Sequence, residues 1–174
     1  MIGLTAGEAF PQQQVDLLGG GMLTLGQPRG GHDWQMVVVY RGAHCPICKK
    51  YLAQLDGMTA DFTALGVDVV AVSGDPEEKA QRMAEEADVG LAIGYGLSVA
   101  QMRALGLYVS APRSPQETDR PFPEPGLFVI NGQGAVQIVD VSNAPFARPD
   151  LAMVLNGLRF IRDKDYPVRG TFDG

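Results

Sequence analysis

Cysteine is scarce in this chain: only two occur in 174 residues, Cys45 and Cys48, too close together to staple a fold. Cationic side chains are also few, with 14 Lys and Arg against 20 Asp and Glu and a formal net charge of −6. A nucleic-acid partner, which would need excess positive charge, is therefore not expected. No run approaches the roughly 20 apolar residues of a membrane span, and the first residues do not resemble a secretory leader. We therefore expect a cytoplasmic protein without a membrane partner.

Strand-like and helix-like patterns alternate along the first half of the chain. Residues 15–25 predict a hairpin around three glycines, and residues 34–41 predict a strand buried on both faces. Helical spacing follows over residues 48–65, ended by Gly66, and residues 67–74 predict another buried strand. A second helix is expected next, with Asp75 as its N-cap and Pro76 as its first residue.

The second half has weaker signals and one strong hairpin. The predictions are a short strand near 91–93, a short helix near 98–105, a Pro-rich loop without regular structure at 110–126, a hairpin at 126–141 and a final amphipathic helix. This order predicts an α/β fold in which a central mixed sheet is flanked by helices and preceded by an N-terminal β-hairpin. We expect one domain, residues 1–174, with a C-terminal tail at 163–174.

The two cysteines lie where a buried strand gives way to a helix. Cys45 would stand at the helix N-terminus, where free N–H groups and the helix dipole favour a thiolate. Three interpretations fit the spacing: a redox couple, a pair of small core residues, or half of a zinc site. Zinc normally takes four ligands, yet the chain has no second CxxC and only two histidines, His32 and His44. Redox chemistry is the favoured interpretation, and we expect neither a metal nor a cofactor.

The residues around the pair suggest separate roles for the two thiols. Cys45 is the expected nucleophile, and Cys48, one helical turn later, is the expected resolving thiol. Arg41, with Lys49 and Lys50, adds positive charge that favours the thiolate. His44 is a secondary candidate, since an imidazole that titrates near neutrality can accept a proton or stabilise a thiolate.

Three stretches carry a family resemblance. YRGAHCPICKKYLAQLDGM resembles the strand, active-site turn and helix of the thioredoxin-fold superfamily, in particular the peroxiredoxin-like branch of the alkyl hydroperoxide reductase and thiol-specific antioxidant family. PGLFVINGQGAVQIV resembles the hairpin that follows the active-site loop, and NAPFARPDLAMVLNGLRFIRDKDYPVRG resembles the tail of that branch. The resemblance implies a thioredoxin-like fold and a peroxidatic role for Cys45.

Two departures from the family pattern bear on the activity. Peroxiredoxins resemble one another in a Thr three residues before the peroxidatic cysteine and in an Arg before the later hairpin; here Gly42 and Pro125 stand at those places. Arg41 or Arg120 is a candidate replacement for the missing guanidinium. Pro125 instead resembles the cis-proline of thioredoxins, which predicts a cis bond and a place facing the CxxC turn.

The sequence therefore favours a thiol oxidoreductase that performs thiol-disulfide exchange, with Cys45 attacking and Cys48 resolving. The alternative within enzymes is a thiol peroxidase that reduces hydrogen peroxide or organic hydroperoxides through a Cys45 sulfenic acid. A non-catalytic redox-sensing binding module is the alternative of another class. Expected partners are a disulfide or peroxide substrate and a thiol reductant such as the thioredoxin or glutathione system.

Overall fold

The computed structural model describes residues 3–174. The elements are β1 (Gln13–Leu17), β2 (Met22–Leu25), β3 (Trp34–Val39), α1 (Pro46–Ala64), β4 (Val67–Val72), α2 (Glu77–Ala87), β5 (Ala92–Tyr95), α3 (Val99–Ala104), β6 (Val109–Ser110), β7 (Phe122–Pro123), β8 (Gly126–Ile130), β9 (Val136–Val141) and α4 (Leu151–Lys164). Within this range, no helix is both long and apolar enough to cross a membrane.

A mixed sheet forms the centre, with its strands in the order β2-β1-β5-β4-β3-β8-β9. Strands β3, β4 and β5 run parallel, because α1 and α2 carry the chain back between them, while both sheet edges are antiparallel hairpins. The predicted fold class, with its flanked mixed sheet and N-terminal hairpin, is confirmed.

The apolar core lies on both faces of the sheet, and β3 serves each face in turn. Met36 and Val38 pack into the cluster shared with α1, α2 and α4, whereas Val37 and Val39 pack on the opposite side with α3. This alternation follows from the period of two along a strand. It explains why the sequence of β3 is a continuous apolar run rather than an alternating one.

The topology brings four loops to one end of the sheet, where the strands β3 and β4 finish. The parallel strands β3 and β4 both end there, so the segments that begin α1 and α2 are neighbours. Strand β8 runs the other way, so its first residue, Gly126, pairs with Val39 at the end of β3. The last residue of β9, Val141, pairs with Gly126, which returns the β9–α4 loop to the same end.

Three local predictions were wrong in detail. Residues 110–126 were expected to lack regular structure, but the ends of this segment pair as the short ribbon of β6 and β7. Helix α2 begins at Glu77 with Pro76 as its N-cap, so Asp75 does not cap it. Helix α4 extends to Lys164, so the C-terminal tail begins two residues later than predicted.

Candidate active site

Cys45 stands between β3 and α1 as the N-cap residue of the helix. Its backbone is extended (φ −109°, ψ 104°), Pro46 begins the helix, and the Cys45 Sγ accepts a hydrogen bond from the Cys48 backbone N–H at 3.4 Å. A sulfur therefore occupies the position in which a Ser or Asp oxygen usually satisfies a free helix N–H. Both thiols are reduced and buried, with exposed fractions of 2% for Cys45 and 0% for Cys48.

The pKa values of the two thiols are shifted in opposite directions. The pKa of Cys45 lies well below that of an ordinary thiol, because the Cys48 thiol and the Cys48 backbone N–H donate to its sulfur and Arg41 adds a further hydrogen bond. Burial raises the pKa of Cys48, and the adjacent Cys45 raises it further. These shifts favour a Cys45 thiolate beside a protonated Cys48, and the division of roles between the two cysteines stays a prediction.

Arg41 provides a guanidinium at the nucleophile. Arg41 is one of the groups that lower the pKa of Cys45, and its guanidinium carbon lies 4.8 Å from the centre of the Phe122 ring. The Nε atom is 3.0 Å from a Glu124 carboxylate oxygen, in an ion pair that is not aligned as a hydrogen bond. Glu124 is 3% exposed and also accepts from the Ser110 hydroxyl at 2.7 Å, so the β6–β7 ribbon fixes the direction of Arg41.

A second guanidinium, not predicted from the sequence, contacts Cys48, the expected resolving thiol. Arg148 lies 100 residues after Cys48, in the loop before α4, and its Nη2 donates to the Cys48 Sγ at 2.7 Å. The guanidinium carbon of Arg148 stacks 5.0 Å from the centre of the Tyr51 ring. The Tyr51 hydroxyl donates to the Pro149 carbonyl at 2.7 Å and so holds the loop against α1.

The two lysines of α1 that were expected to favour the thiolate, Lys49 and Lys50, have a different role. Lys49 forms an ion pair with Glu86 on α2 and so joins two helices, while Lys50 is exposed. The charge that acts on the sulfur atoms comes from Arg41 and Arg148 instead.

Comparison with family models gives one match, to the AhpC/TSA family over residues 6–139. The chain belongs to the AhpC/TSA family. This confirms the resemblance drawn from the CPIC segment and its flanking strand and helix. Members of the family are thiol-dependent oxidoreductases, so the predicted enzyme class is confirmed as well. No curated protein matches the sequence directly.

Several solved structures share the fold. A mutant of peroxiredoxin 6 from Arenicola marina superposes with a TM-score of 0.75 at 20% identity, covering 94% of this chain and 76% of that one. A peroxiredoxin-like protein from Aquifex aeolicus gives 0.76 at 17% identity, covering 92% and 90%. Peroxidoxin BcpB from Mycobacterium tuberculosis gives 0.73 at 18% identity, covering 91% and 98%.

Gly42 replaces the threonine that the AhpC/TSA resemblance leads one to expect, and its geometry explains why. Its φ is +149°, and a Cβ built there would lie 2.8 Å from the His44 Nδ1 and 2.9 Å from an Asp75 carboxylate oxygen. A side chain at position 42 would therefore be both strained and crowded. The space next to the nucleophile is filled by His44 instead of a threonine hydroxyl.

Asp75 holds the turn that carries the nucleophile. Its carboxylate accepts from the Ala43 backbone N–H at 2.8 Å, while its own N–H donates to the Ser73 hydroxyl at 3.1 Å. Burial raises the pKa of this carboxyl group, and the Ala43 N–H partly opposes that rise. The sequence signal was present, an acidic residue directly after a buried strand, but a helix cap explained it equally well.

His44 does not titrate near neutrality as expected. Burial, followed by the charge of Arg41, lowers its pKa to about 4, so the imidazole is neutral at pH 7. Its ring packs edge-on against Phe122 with the centroids 4.7 Å apart, and neither ring nitrogen has a hydrogen-bond partner among residues 3–174. A neutral imidazole does not favour the expected role as a cation that stabilises the thiolate, and the other expected role of His44, accepting a proton, stays a prediction.

Pro125 was expected in the cis form, and that prediction is wrong. No cis peptide bond occurs in the described part of the chain, and the buried Pro125 leads in trans geometry into β8, where its carbonyl accepts from the Ser142 N–H. Arg120 pairs with the adjacent Asp119, so of the two candidate replacements for the family arginine only Arg41 is among the main causes of the lowered Cys45 pKa. Nor do three or more His, Cys, Asp or Glu side chains from residues 3–174 gather as metal ligands would.

Proposed function

We propose that the protein is a thiol peroxidase in which Cys45 is the peroxidatic cysteine and Cys48 resolves it. The observation that carries this proposal is the position of the Cys45 sulfur as N-cap of α1, where it accepts a hydrogen bond from the Cys48 N–H and is only 2% exposed. The lowered pKa of Cys45 agrees with a thiolate at this place. A hydroperoxide is small enough to reach such a sulfur, whereas a protein disulfide needs an accessible one. Membership of the AhpC/TSA family supports the same chemistry.

In the first step, the Cys45 thiolate attacks one oxygen of the peroxide and breaks the O–O bond. The sulfur becomes a sulfenic acid, and the departing hydroxide or alkoxide takes up a proton to leave as water or alcohol. Arg41 lowers the barrier because its guanidinium lowers the pKa of the attacking Cys45 sulfur and brings positive charge near the oxygen that takes up negative charge. Glu124 and the Phe122 ring keep the guanidinium at that place.

In the second step, the Cys48 sulfur attacks the Cys45 sulfur, which forms the disulfide and releases water. The two residues share one helical turn, with the Cys48 N–H already bonded to the Cys45 sulfur, so little rearrangement is needed. An external thiol, of the thioredoxin or glutathione type, then reduces the disulfide by exchange. Because both sulfurs are buried, the first turn of α1 must open for that thiol to reach them.

Thiol-disulfide exchange, which the sequence placed first, becomes the second candidate. The CxxC spacing and the acidic Cys45 favour it, since the same features activate the nucleophile of a disulfide reductase. The cis-proline that would have faced the pair in such a reductase is absent from position 125. The sensing module remains the candidate without turnover.

The experiment compares two substrates under one reductant. The reduced protein is supplied with a thioredoxin system, and the consumption of hydrogen peroxide and of cumene hydroperoxide is measured beside the reduction of insulin disulfides. We expect rapid hydroperoxide turnover and insulin reduction near the background rate. The reverse pattern would establish the exchange function, and reversible oxidation without turnover of either substrate would establish the sensing module.

A further inference from the structure

We propose that Arg148 activates the resolving thiol, so that the two cysteines have separate guanidinium partners, Arg41 for Cys45 and Arg148 for Cys48. This assignment rests on the proposed function, in which Cys48 attacks an oxidised Cys45. It gives a role to the one charged side chain in direct contact with Cys48, at 2.7 Å from its sulfur.

No carboxylate among residues 3–174 forms a direct ion pair with Arg148, although Asp140 lines the same cavities. Arg41 is paired with the buried Glu124, but Arg148 has no acidic partner within ion-pair distance in residues 3–174, and its Nε and Nη1 are buried without hydrogen-bond partners there. The Tyr51 ring stacks on the guanidinium and holds it in place. A positioned and uncompensated guanidinium next to a sulfur favours the thiolate form of that sulfur.

The order of the chemistry explains why a second cation is needed. In the reduced protein, the Cys45 thiolate accepts a hydrogen bond from the Cys48 thiol, and its negative charge opposes ionisation of Cys48. Oxidation of Cys45 to the sulfenic acid removes that charge, whereas Arg148 stays at its place. Burial, the larger cause of the raised Cys48 pKa, remains, but one opposing charge is gone, so Cys48 ionises more readily once its neighbour has reacted.

The groups that face Cys48 come from three segments. They are Cys45 and Arg41 before α1, Tyr40 at the end of β3, and Arg148 before α4. The pKa of Tyr40 is raised by burial, so its hydroxyl is neutral throughout the physiological range. Once Cys45 is oxidised, the two arginines are the charged groups left in this set, and Arg148 is the one that donates to Cys48.

The closing step balances without a further reactant. The Cys48 S–H gives up its proton, the Cys48 sulfur donates an electron pair to the Cys45 sulfur, and the S–O bond of the sulfenic acid breaks. The departing hydroxide combines with the proton as water. Two electrons in total have passed from the dithiol to the peroxide, and Arg148 is unchanged.

The test separates the two steps in Arg148→Met. Rapid mixing with hydrogen peroxide follows the first step, and the time for which the sulfenic acid can be trapped by dimedone follows closure to the disulfide. We expect closure to slow about 10- to 100-fold and its pH midpoint to rise, because Cys48 loses its stabilising cation. The rate of the first step should change by no more than about threefold, because Arg148 lowers the pKa of Cys45 less than Cys48 and Arg41 do.

Two further variants exclude a purely structural role. Tyr51→Phe keeps the aromatic ring and Arg148 but removes the hydrogen bond to the Pro149 carbonyl. If Arg148→Met slowed closure only by loosening this loop, Tyr51→Phe would slow it too. We expect closure in Tyr51→Phe at the normal rate. Arg148→Lys restores a cation and should recover part of the rate. Equal closure rates in Arg148→Met and the unmodified protein, an equal loss in Tyr51→Phe, or an unchanged pH midpoint would each overturn the assignment.

An aromatic disulfide reagent tests the same role without peroxide. Cys45 attacks it and releases one thiolate, and Cys48 then displaces the second. We expect Arg148→Met to delay only the second release. If the unmodified protein fails to react with peroxide but shows this delay in the variant, the proposed function fails and the role of Arg148 stands; two equally fast releases in the variant would overturn that role.

Discussion

Cys45→Ser is expected to lower peroxide consumption by at least about 10³-fold, because a serine hydroxyl does not ionise in the accessible pH range and the attacking thiolate is lost. The fold should survive the change. Cys45 is the N-cap of α1, and a serine oxygen is among the preferred acceptors for the N–H that the sulfur now binds. The thermal midpoint should therefore be equal to or above that of the unmodified protein, which separates lost chemistry from lost structure.

Cys48→Ser is the matched control, since it changes the same atom one turn later. It should reduce one equivalent of peroxide at nearly the normal rate and then stop as a sulfenic acid that dimedone traps. The assignment of roles would be contradicted if Cys45→Ser kept more than a tenth of the peroxide consumption, or if Cys48→Ser lost the first equivalent while Cys45→Ser did not.

Removal of the Arg41 guanidinium is expected to slow the first step about 10²- to 10³-fold, the usual effect of losing one donor that stabilises developing charge. Two causes act together: the pKa of Cys45 rises once Arg41 no longer lowers it, and the reacting peroxide loses a neighbouring positive charge. The single variant is a poor test, because Glu124 would be left buried without its partner at a cost of about 3–5 kcal/mol in folding free energy.

The double variant Arg41→Gln/Glu124→Gln avoids that cost because it removes both charges. Glu124→Gln alone keeps Arg41 and should retain the first step within about tenfold. The pH dependence of Cys45 alkylation should move to higher pH in the double variant, since a group whose pKa is depressed by a cation becomes less acidic when the cation leaves. A double variant as fast as Glu124→Gln would show that Arg41 has no part in the chemistry.

The sequence could locate the cysteines because their signals are local. An apolar strand, a Cys-Pro pair and a helical repeat fix Cys45 at a helix N-terminus whatever the rest of the chain does. Arg41 was found for the same reason, since it lies on the same turn. The alternation of strands and helices likewise predicted the sheet and its flanking helices.

The contacts that could not be predicted from the sequence depend on strand register and on loops that are distant along the chain. Arg148 reaches Cys48 only because β9 pairs with β8 so that Val141 lies opposite Gly126. This pairing directs the loop after β9 to the end of the sheet that carries the two cysteines. The lowered pKa of His44 depends on its burial, and part of that burial comes from Phe122 in the distant β6–β7 ribbon. The cis prediction for Pro125 came from its position between a loop and a strand together with the resemblance, and neither determines the isomer of an X-Pro bond.

The most direct measurement mixes the fully reduced protein with one equivalent of hydrogen peroxide and follows both the peroxide and the thiols in a single turnover. We predict a second-order rate constant of about 10⁴ M⁻¹s⁻¹ or faster, stoichiometric peroxide loss and an intramolecular disulfide that peptide mass mapping assigns to Cys45 and Cys48. A reaction no faster than that of a free thiol, with both cysteines still open to alkylation after the peroxide is mixed in, would contradict the assignment of this site to peroxide reduction.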